Sequence, residues 1–314
     1  MRLDPARKPL AASDLSLSEC YSLCGDVQKE HSKTYHFATR LFPKPVRRHV
    51  YALYAFMRYA DELVDNPGPL TLDEQHRALD EFEAETYRAV EGEAVVNPVL
   101  RAYAETVREC GIENGDIRAF LASMKMDTHV FRYRTFSDLE EYTYGSAAVV
   151  GLMMCRVVGA RDERARPHAE ALGTAMQLTN FLRDIGEDWK RGRIYIPQQD
   201  MERFGYAETD LKAGTVDDRF RELIRFESER ARSLYAVADA GMKYIPEGRR
   251  YPVAVSRALY SRILALIEER DFDVFSGRAR TSVAQKFAIA GACATREPQT
   301  ILARVRETKP GRSG

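Results

Sequence analysis

From residue 17 to residue 294 apolar side chains recur with the 3.6-residue period of an α-helix almost without interruption, and no stretch alternates with the two-residue period of a half-buried strand. A chain that offers helical stripes and little else must bury those stripes against one another, so the pattern predicts an all-α bundle around a central cavity. Proline and glycine clusters cut it into pieces. Residues 17–41 read as a first helix, stopped by Phe42-Pro43-Lys44-Pro45; Pro45 suits the first turn of a second helix that runs to Asp65, where Asn66-Pro67-Gly68-Pro69 ends it. Helices are expected next over residues 72–91, 98–109 and on to Asp127. Ser137-Asp-Leu-Glu140 has the form of a capping box, opening a helix whose small residues 145–151 predict close packing beside a cavity. A long helix over 162–188, an extended piece over 192–197, and helices over 217–240, 252–269 and 281–294 complete the pattern. No repeat or shift in composition divides the chain. The expected organisation is a flexible segment over 1–14, one all-α single domain over 15–304, and a disordered tail over 305–314.

Composition removes several classes of function. The 47 basic residues balance the 47 acidic ones, so no overall basic field draws the molecule to nucleic acid. Cys20, Cys24, Cys110, Cys155 and Cys293 are few, odd in number and without paired spacing, which favours reduced thiols and a cytoplasmic location. No apolar signal core follows the N-terminal basic residues, and the longest weakly polar stretch, 144–155, falls well short of the ~20 residues of a membrane span. Peripheral contact with a membrane surface stays open, as does the oligomeric state.

Two acidic segments narrow the chemistry. Asp61 and Asp65, and again Asp184 and Asp188, are four residues apart, which returns both carboxylates of each pair to nearly the same helix face. If the two helices face each other, four carboxylates line one cavity and repel one another unless cations sit between them. Mg²⁺ suits oxygen ligands and completes its shell with water and substrate phosphate, so the expected ligand carries a diphosphate. Tyr54 and Arg58 share the face of Asp61 and Asp65, and a guanidinium there can grip phosphate oxygens bidentately. Gln177 and Asn180 precede Asp184 and Asp188 on one stripe, flanked by Arg183, while Leu178, Phe181, Leu182 and Ile185 fill the other positions. A polar stripe among apolar residues is costly to bury without partners, which points to a site.

At these residues the chain resembles the squalene and phytoene synthase family, the head-to-head prenyltransferases. Leu172-Gly173, Gln177, Asn180-Phe181, Arg183-Asp184, Asp188 and Arg193-Ile-Tyr195-Ile-Pro197 fit the family's second signature, and residues 142–157 fit the first, except that Thr143 stands where Cys, Ser, Ala or Met is usual. His31-Ser-Lys-Thr-Tyr35 is similar to the family's opening phosphate-contacting motif, and Tyr54, Arg58, Asp61 and Asp65 to its first aspartate-rich helix. The resemblance implies an isoprenoid-synthase-type bundle that joins two prenyl diphosphates through a cyclopropylcarbinyl diphosphate. It implies Mg²⁺, with Mn²⁺ as a substitute, on Asp61, Asp65, Asn180, Asp184 and Asp188, and Tyr142 among the catalytic residues. Substrate contacts are implied for His31, Ser32, Lys33, Thr34, Tyr54, Arg58, Gln177, Arg183, Arg193 and Tyr195, and, in a looser register, for Tyr260, Arg278 and Lys286.

The carbocations such a reaction creates require dry apolar or aromatic walls, for which Tyr35, Phe37, Tyr51, Tyr54, Phe56 and Tyr142 are the expected residues. Residues 51–56, 132–136 and 180–188 are most similar to the phytoene-forming bacterial branch. That implies two geranylgeranyl diphosphates as substrates, release of diphosphate and no use of NADPH, in the first step of carotenoid biosynthesis. A homologue using C15 substrates to make squalene or dehydrosqualene is the alternative; a catalytically inactive helical assembly factor is the alternative of another class.

Overall fold

The computed structural model describes residues 15–66 and 68–295, and among these every regular element is helical. The expectations for residues 1–14 and 305–314 lie outside the described residues. The elements are α1 (Leu17–His31), α2 (Lys33–Thr39), α3 (Lys44–Asp65), α4 (Leu72–Glu91), α5 (Pro98–Cys110), α6 (Asn114–Met126), α7 (Phe136–Thr143), α8 (Val149–Val158), α9 (Arg166–Lys190), α10 (Gln198–Arg203), α11 (Glu208–Ala213), α12 (Asp218–Asp239), α13 (Glu247–Glu269) and α14 (Val283–Thr295). A single π-helical turn, Tyr144–Ala148, joins α7 to α8.

Local chemistry sets the boundaries. Ser16 with Glu19, and Thr71 with Glu74, form reciprocal capping boxes that satisfy the free N–H groups opening α1 and α4. The expected first helix is in fact two, because Ser32 leaves helical geometry and its hydroxyl accepts from the Tyr35 N–H to open α2. The capping box expected at Ser137 and Glu140 lies two residues earlier, at Thr135 and Asp138, where Thr135 is extended and the Asp138 carboxylate accepts from its N–H. Helix α13 begins before Pro252 rather than at it, and carries that proline inside its second turn. The short helices α10 and α11 are absent from the sequence-based expectation, since six residues hold too few turns to show a period.

Helix α9 is the axis of the molecule. It packs along α12 on one side and against α8, α13 and the π turn on the others. The approach to α8 is as close as the small residues predict. A Cβ added at Gly173 would stand 2.1 Å from the Ala147 carbonyl oxygen, and one added at Gly151 2.1 Å from that of Ala169. One core, built around Phe56, Tyr103, Phe120 and Leu100, joins α1 and α3–α6 to α8; a second, around Phe220, Tyr235 and Leu264, joins α9 to α12 and α13. Helix α9 packs on α12, and the charge of Asp65 at the end of α3 reaches Asp188 near the end of α9. No helix among the described residues is long and apolar enough to cross a membrane.

Candidate active site

The two aspartate walls converge, and the loop after α9 ties them together. Arg193 donates to one oxygen of Asp65 at 2.6 Å and Arg191 to the other at 3.0 Å. Arg193 also donates to the Asp127 carbonyl at 3.2 Å, and the Tyr195 hydroxyl donates to the Asp127 carboxylate at 2.8 Å. Asp127, buried at the C-terminal end of α6, is thus the anchor that fixes the 193–195 loop against α3. Sequence reasoning passed over it as a helix end; a carboxylate one residue past an apolar helix face is the only local signal it gives.

On α9, Arg183 holds Asp184 through two bonds of 2.7 and 2.6 Å, and Arg278 reaches the same carboxylate at 2.8 Å and Glu187 at 2.9 Å. Asn180 donates to Gln177 at 3.3 Å, which leaves its own side-chain oxygen buried with no partner. The carboxylates of Asp61 and Asp188 make no ion pair or hydrogen bond among the described residues, and their electrostatics reflect it. Burial, the Asp65 charge and, more weakly, that of Asp127 push Asp61 up to about 7 despite Arg58. Burial and Asp184 push Asp188 up to about 8, with Asp65 contributing from the opposite wall against the relief from Arg191 and Arg193.

Cations and aromatic rings close the site on its other sides. Tyr35 stands between Tyr54 and Tyr260, with ring centroids 6.0 and 5.7 Å away. Burial raises the Tyr260 hydroxyl, and the nearby Arg183 charge partly offsets that. Lys286 of α14 is 8 % exposed and has no partner among the described residues; burial and the charge of Lys33 hold its ammonium below the ordinary lysine range. His31 is exposed, and is likewise held down by partial burial and by Arg58. Thr34 is half-buried beside them on α2. Arg58 pairs along its own helix with Glu62 rather than with either aspartate.

Beyond Tyr35 an apolar cavity, open at its mouth, runs between α8, α9 and α13. Thr39, Met154, Leu172, Met176 and Ile245 are among its lining residues. Of the aromatic walls expected from sequence, Tyr35 alone lines this cavity. Phe56 lies two residues, or about 200° of helix, from Tyr54 and stacks in the core on Tyr103 at 3.8 Å. Tyr51 stacks on His36 at 5.7 Å, and Phe37 meets Phe287 at 5.3 Å. Tyr142, 2 % exposed, belongs to a stack with Tyr133, Phe181 and Tyr195 behind the 193–195 loop.

No three His, Cys, Asp or Glu side chains among the described residues converge tightly enough to cage an ion alone. What the site offers is an orphaned amide oxygen, two unneutralised carboxylates and two more held by arginines. That donor set fits Mg²⁺, which keeps water and substrate oxygens in its shell.

A helical bundle that draws two aspartate helices together through one loop, and holds an apolar cavity as well, defines an isoprenoid-synthase-type fold. Within that class the chain belongs to the squalene/phytoene synthase family, whose profile matches residues 28–285. It is 37 % identical over 290 residues to a phytoene synthase of Arthrospira platensis, spanning 88 % of this chain and 93 % of that one. It is 36 % identical over 291 residues to a 15-cis-phytoene synthase of Synechococcus elongatus, spanning 89 % and 93 %. Among solved structures it is similar to a dehydrosqualene synthase in complex with ligand, at a TM-score of 0.83 and 30 % identity over 89 % of this chain and 96 % of that one.

Proposed function

We infer that the protein condenses two molecules of geranylgeranyl diphosphate head to head, through a cyclopropylcarbinyl diphosphate, to phytoene. The observation that carries this reading is the convergence of the two aspartate walls, with Asp65 close enough to Asp188 to raise it, in a molecule that also holds an apolar cavity. Asp61, Asp65, Asn180, Asp184 and Asp188 would hold Mg²⁺, which supplies positive charge to a departing diphosphate.

The remaining steps fall to this chain's own side chains. Lys33 and Lys286, whose ammonium groups have no partner among the described residues, bind diphosphate oxygens, and the Arg183 guanidinium beside Asp184 adds its charge. Ser32, at the open N-terminal turn of α2, adds a hydroxyl and free N–H groups, with His31 and Thr34 beside it. Arg58, one helical turn from Tyr54, adds a guanidinium for diphosphate oxygens, and Gln177 orients Asn180. The clustered rings of Tyr35, Tyr54 and Tyr260 offer π faces that stabilise allylic cations without a strong nucleophile. Arg193, Tyr195 and the buried Tyr142 keep the loop closed against α6, which excludes water that would quench those cations. Arg278 bridges Asp184 and Glu187 at the rim.

The test is product analysis with purified protein, Mg²⁺ and either C20 or C15 diphosphate, with and without NADPH. Phytoene from the C20 substrate without reductant supports the reading. Squalene formed only with NADPH, or dehydrosqualene from the C15 substrate in preference, would replace it with the C15 alternative.

A further inference from the structure

Helix α14 is built inside out. Its one charged residue, Lys286, is buried toward α2, while its outer face presents Val283, Ala284, Phe287, Ala288, Gly291 and Ala294 to solvent. Val283 is 69 % and Phe287 64 % exposed, on a surface helix that ordinarily turns such residues inward. The helix is nonetheless firmly placed. Ser282 and Gln285 cap its start reciprocally, Ala290 and Cys293 pack into a small core with Val255 and Leu259 of α13, and the Tyr251 hydroxyl donates to the Ala290 carbonyl at 3.0 Å. Its apolar outer face is therefore a fixed feature of the fold.

The rim of that face is cationic. Phe287 meets Phe37 of α2, and the chain on either side of Phe37, from Asp26 to Arg47, carries Lys29, Lys33, Arg40, Lys44 and Arg47 against Asp26 and Glu30 alone. Arg40, Lys29 and Arg47 lie close enough to His36 to add to the effect of burial in holding its imidazole down. Lys29, Lys33, Arg40 and Lys44 are exposed. An apolar wedge beside a basic flank matches an anionic lipid surface, where two weak signals combine into stable attachment. A second copy of the chain fits less well, because a two-fold contact through α14 would bring the two basic flanks together.

We propose that the outer face of α14, flanked by the basic α2 segment, docks this protein on anionic membrane surface. This goes beyond the reaction assigned above and is separable from it, since attachment is read without turnover and turnover is read without vesicles.

The experiment is flotation of the full chain with phosphatidylcholine vesicles, with and without roughly one third phosphatidylglycerol. A Val283→Asp/Phe287→Asp double variant and an Arg40→Glu/Lys44→Glu double variant accompany the wild type, each checked by its melting curve and by sedimentation velocity. Wild type should float with the anionic vesicles, and less so at high salt. The α14 variant should lose about tenfold or more in binding while its turnover of detergent-dispersed substrate stays unchanged. The α2 variant should lose binding only to the anionic vesicles. Wild type that stays unbound, an α14 variant that floats as well as wild type, or a wild-type dimer that the α14 variant dissolves would each overturn the proposal.

Discussion

The α3 wall and the α9 wall of the site share one design and differ in how it is held. In each, one aspartate is clamped by two arginines and the other is left alone: Asp65 by Arg191 and Arg193 with Asp61 free, Asp184 by Arg183 and Arg278 with Asp188 free. The clamped carboxylates have their countercharge inside the protein. The free ones are raised to about 7 and about 8, so their charge is costly until a cation arrives. The walls differ in the origin of their clamps. Arg183 belongs to α9 itself, whereas α3 borrows both arginines from a loop more than a hundred residues away, held in place by Asp127. The α9 wall supplies one of its two clamps and borrows the other, Arg278; the α3 wall borrows both.

The largest effect should come from the free aspartates. Asp61→Asn and Asp188→Asn each remove a cation ligand and should lower turnover by about 10²–10³-fold, while the melting temperature stays level or rises because a buried repulsion is relieved. A steady-state assay with a melting curve checks both, and near-normal turnover in either variant would break the distinction between free and clamped carboxylates.

The borrowed clamp comes next. Arg193→Ala strips Asp65 of its shorter ion pair and leaves Asp127 buried without its cation, and should cost on the order of 3–5 kcal/mol in chemical denaturation. Arg278→Ala, at a rim position about one third exposed, should cost within about 1 kcal/mol. Equal costs would mean that the two walls are held alike.

The smallest effect tests whether a raised carboxyl alone makes a cation site. Glu227 is pushed up to about 7 by burial, yet it keeps an ion pair with Arg230, which also reaches Asp200. Because its folded pKa lies above the ordinary 4.5, the native state retains a proton that the unfolded chain has released. Stability contributed by this group is therefore lost as pH rises from about 4.5 to 7 and is level above that. Glu227→Gln should flatten that part of the stability profile, and added Mg²⁺ should leave the contribution unchanged. A Mg²⁺-dependent slope at Glu227 would undo the contrast with Asp61 and Asp188.

Much of this was legible in the chain, for identifiable reasons. Helix boundaries at Asp65, Leu72 and Glu91 follow from proline and glycine punctuation and a capping box, which are local. The stripes of α3 and α9 follow from helical spacing, and the tight crossing at Gly151 and Gly173 from residue size. What could not be read depended on distant partners. Asp127 becomes an anchor only when Arg193 and Tyr195 reach it. The aromatic walls were misplaced for the same reason: Phe56 and Tyr142 are as apolar as any cavity residue, and only the packing of α5 and of the 193–195 loop draws them away. The pairing of Arg58 with Glu62, by contrast, is a local i,i+4 contact that the sequence already contained.

The most direct test of the converging walls is anomalous diffraction from crystals soaked with Mn²⁺ and a non-reactive prenyl thiodiphosphate. The account predicts metal peaks in the space between α3 and α9, with ligands from Asp61 or Asp65 on one side and from Asn180, Asp184 or Asp188 on the other. Metal bound outside that space, or a diphosphate seated there with no metal between it and either wall, would contradict it.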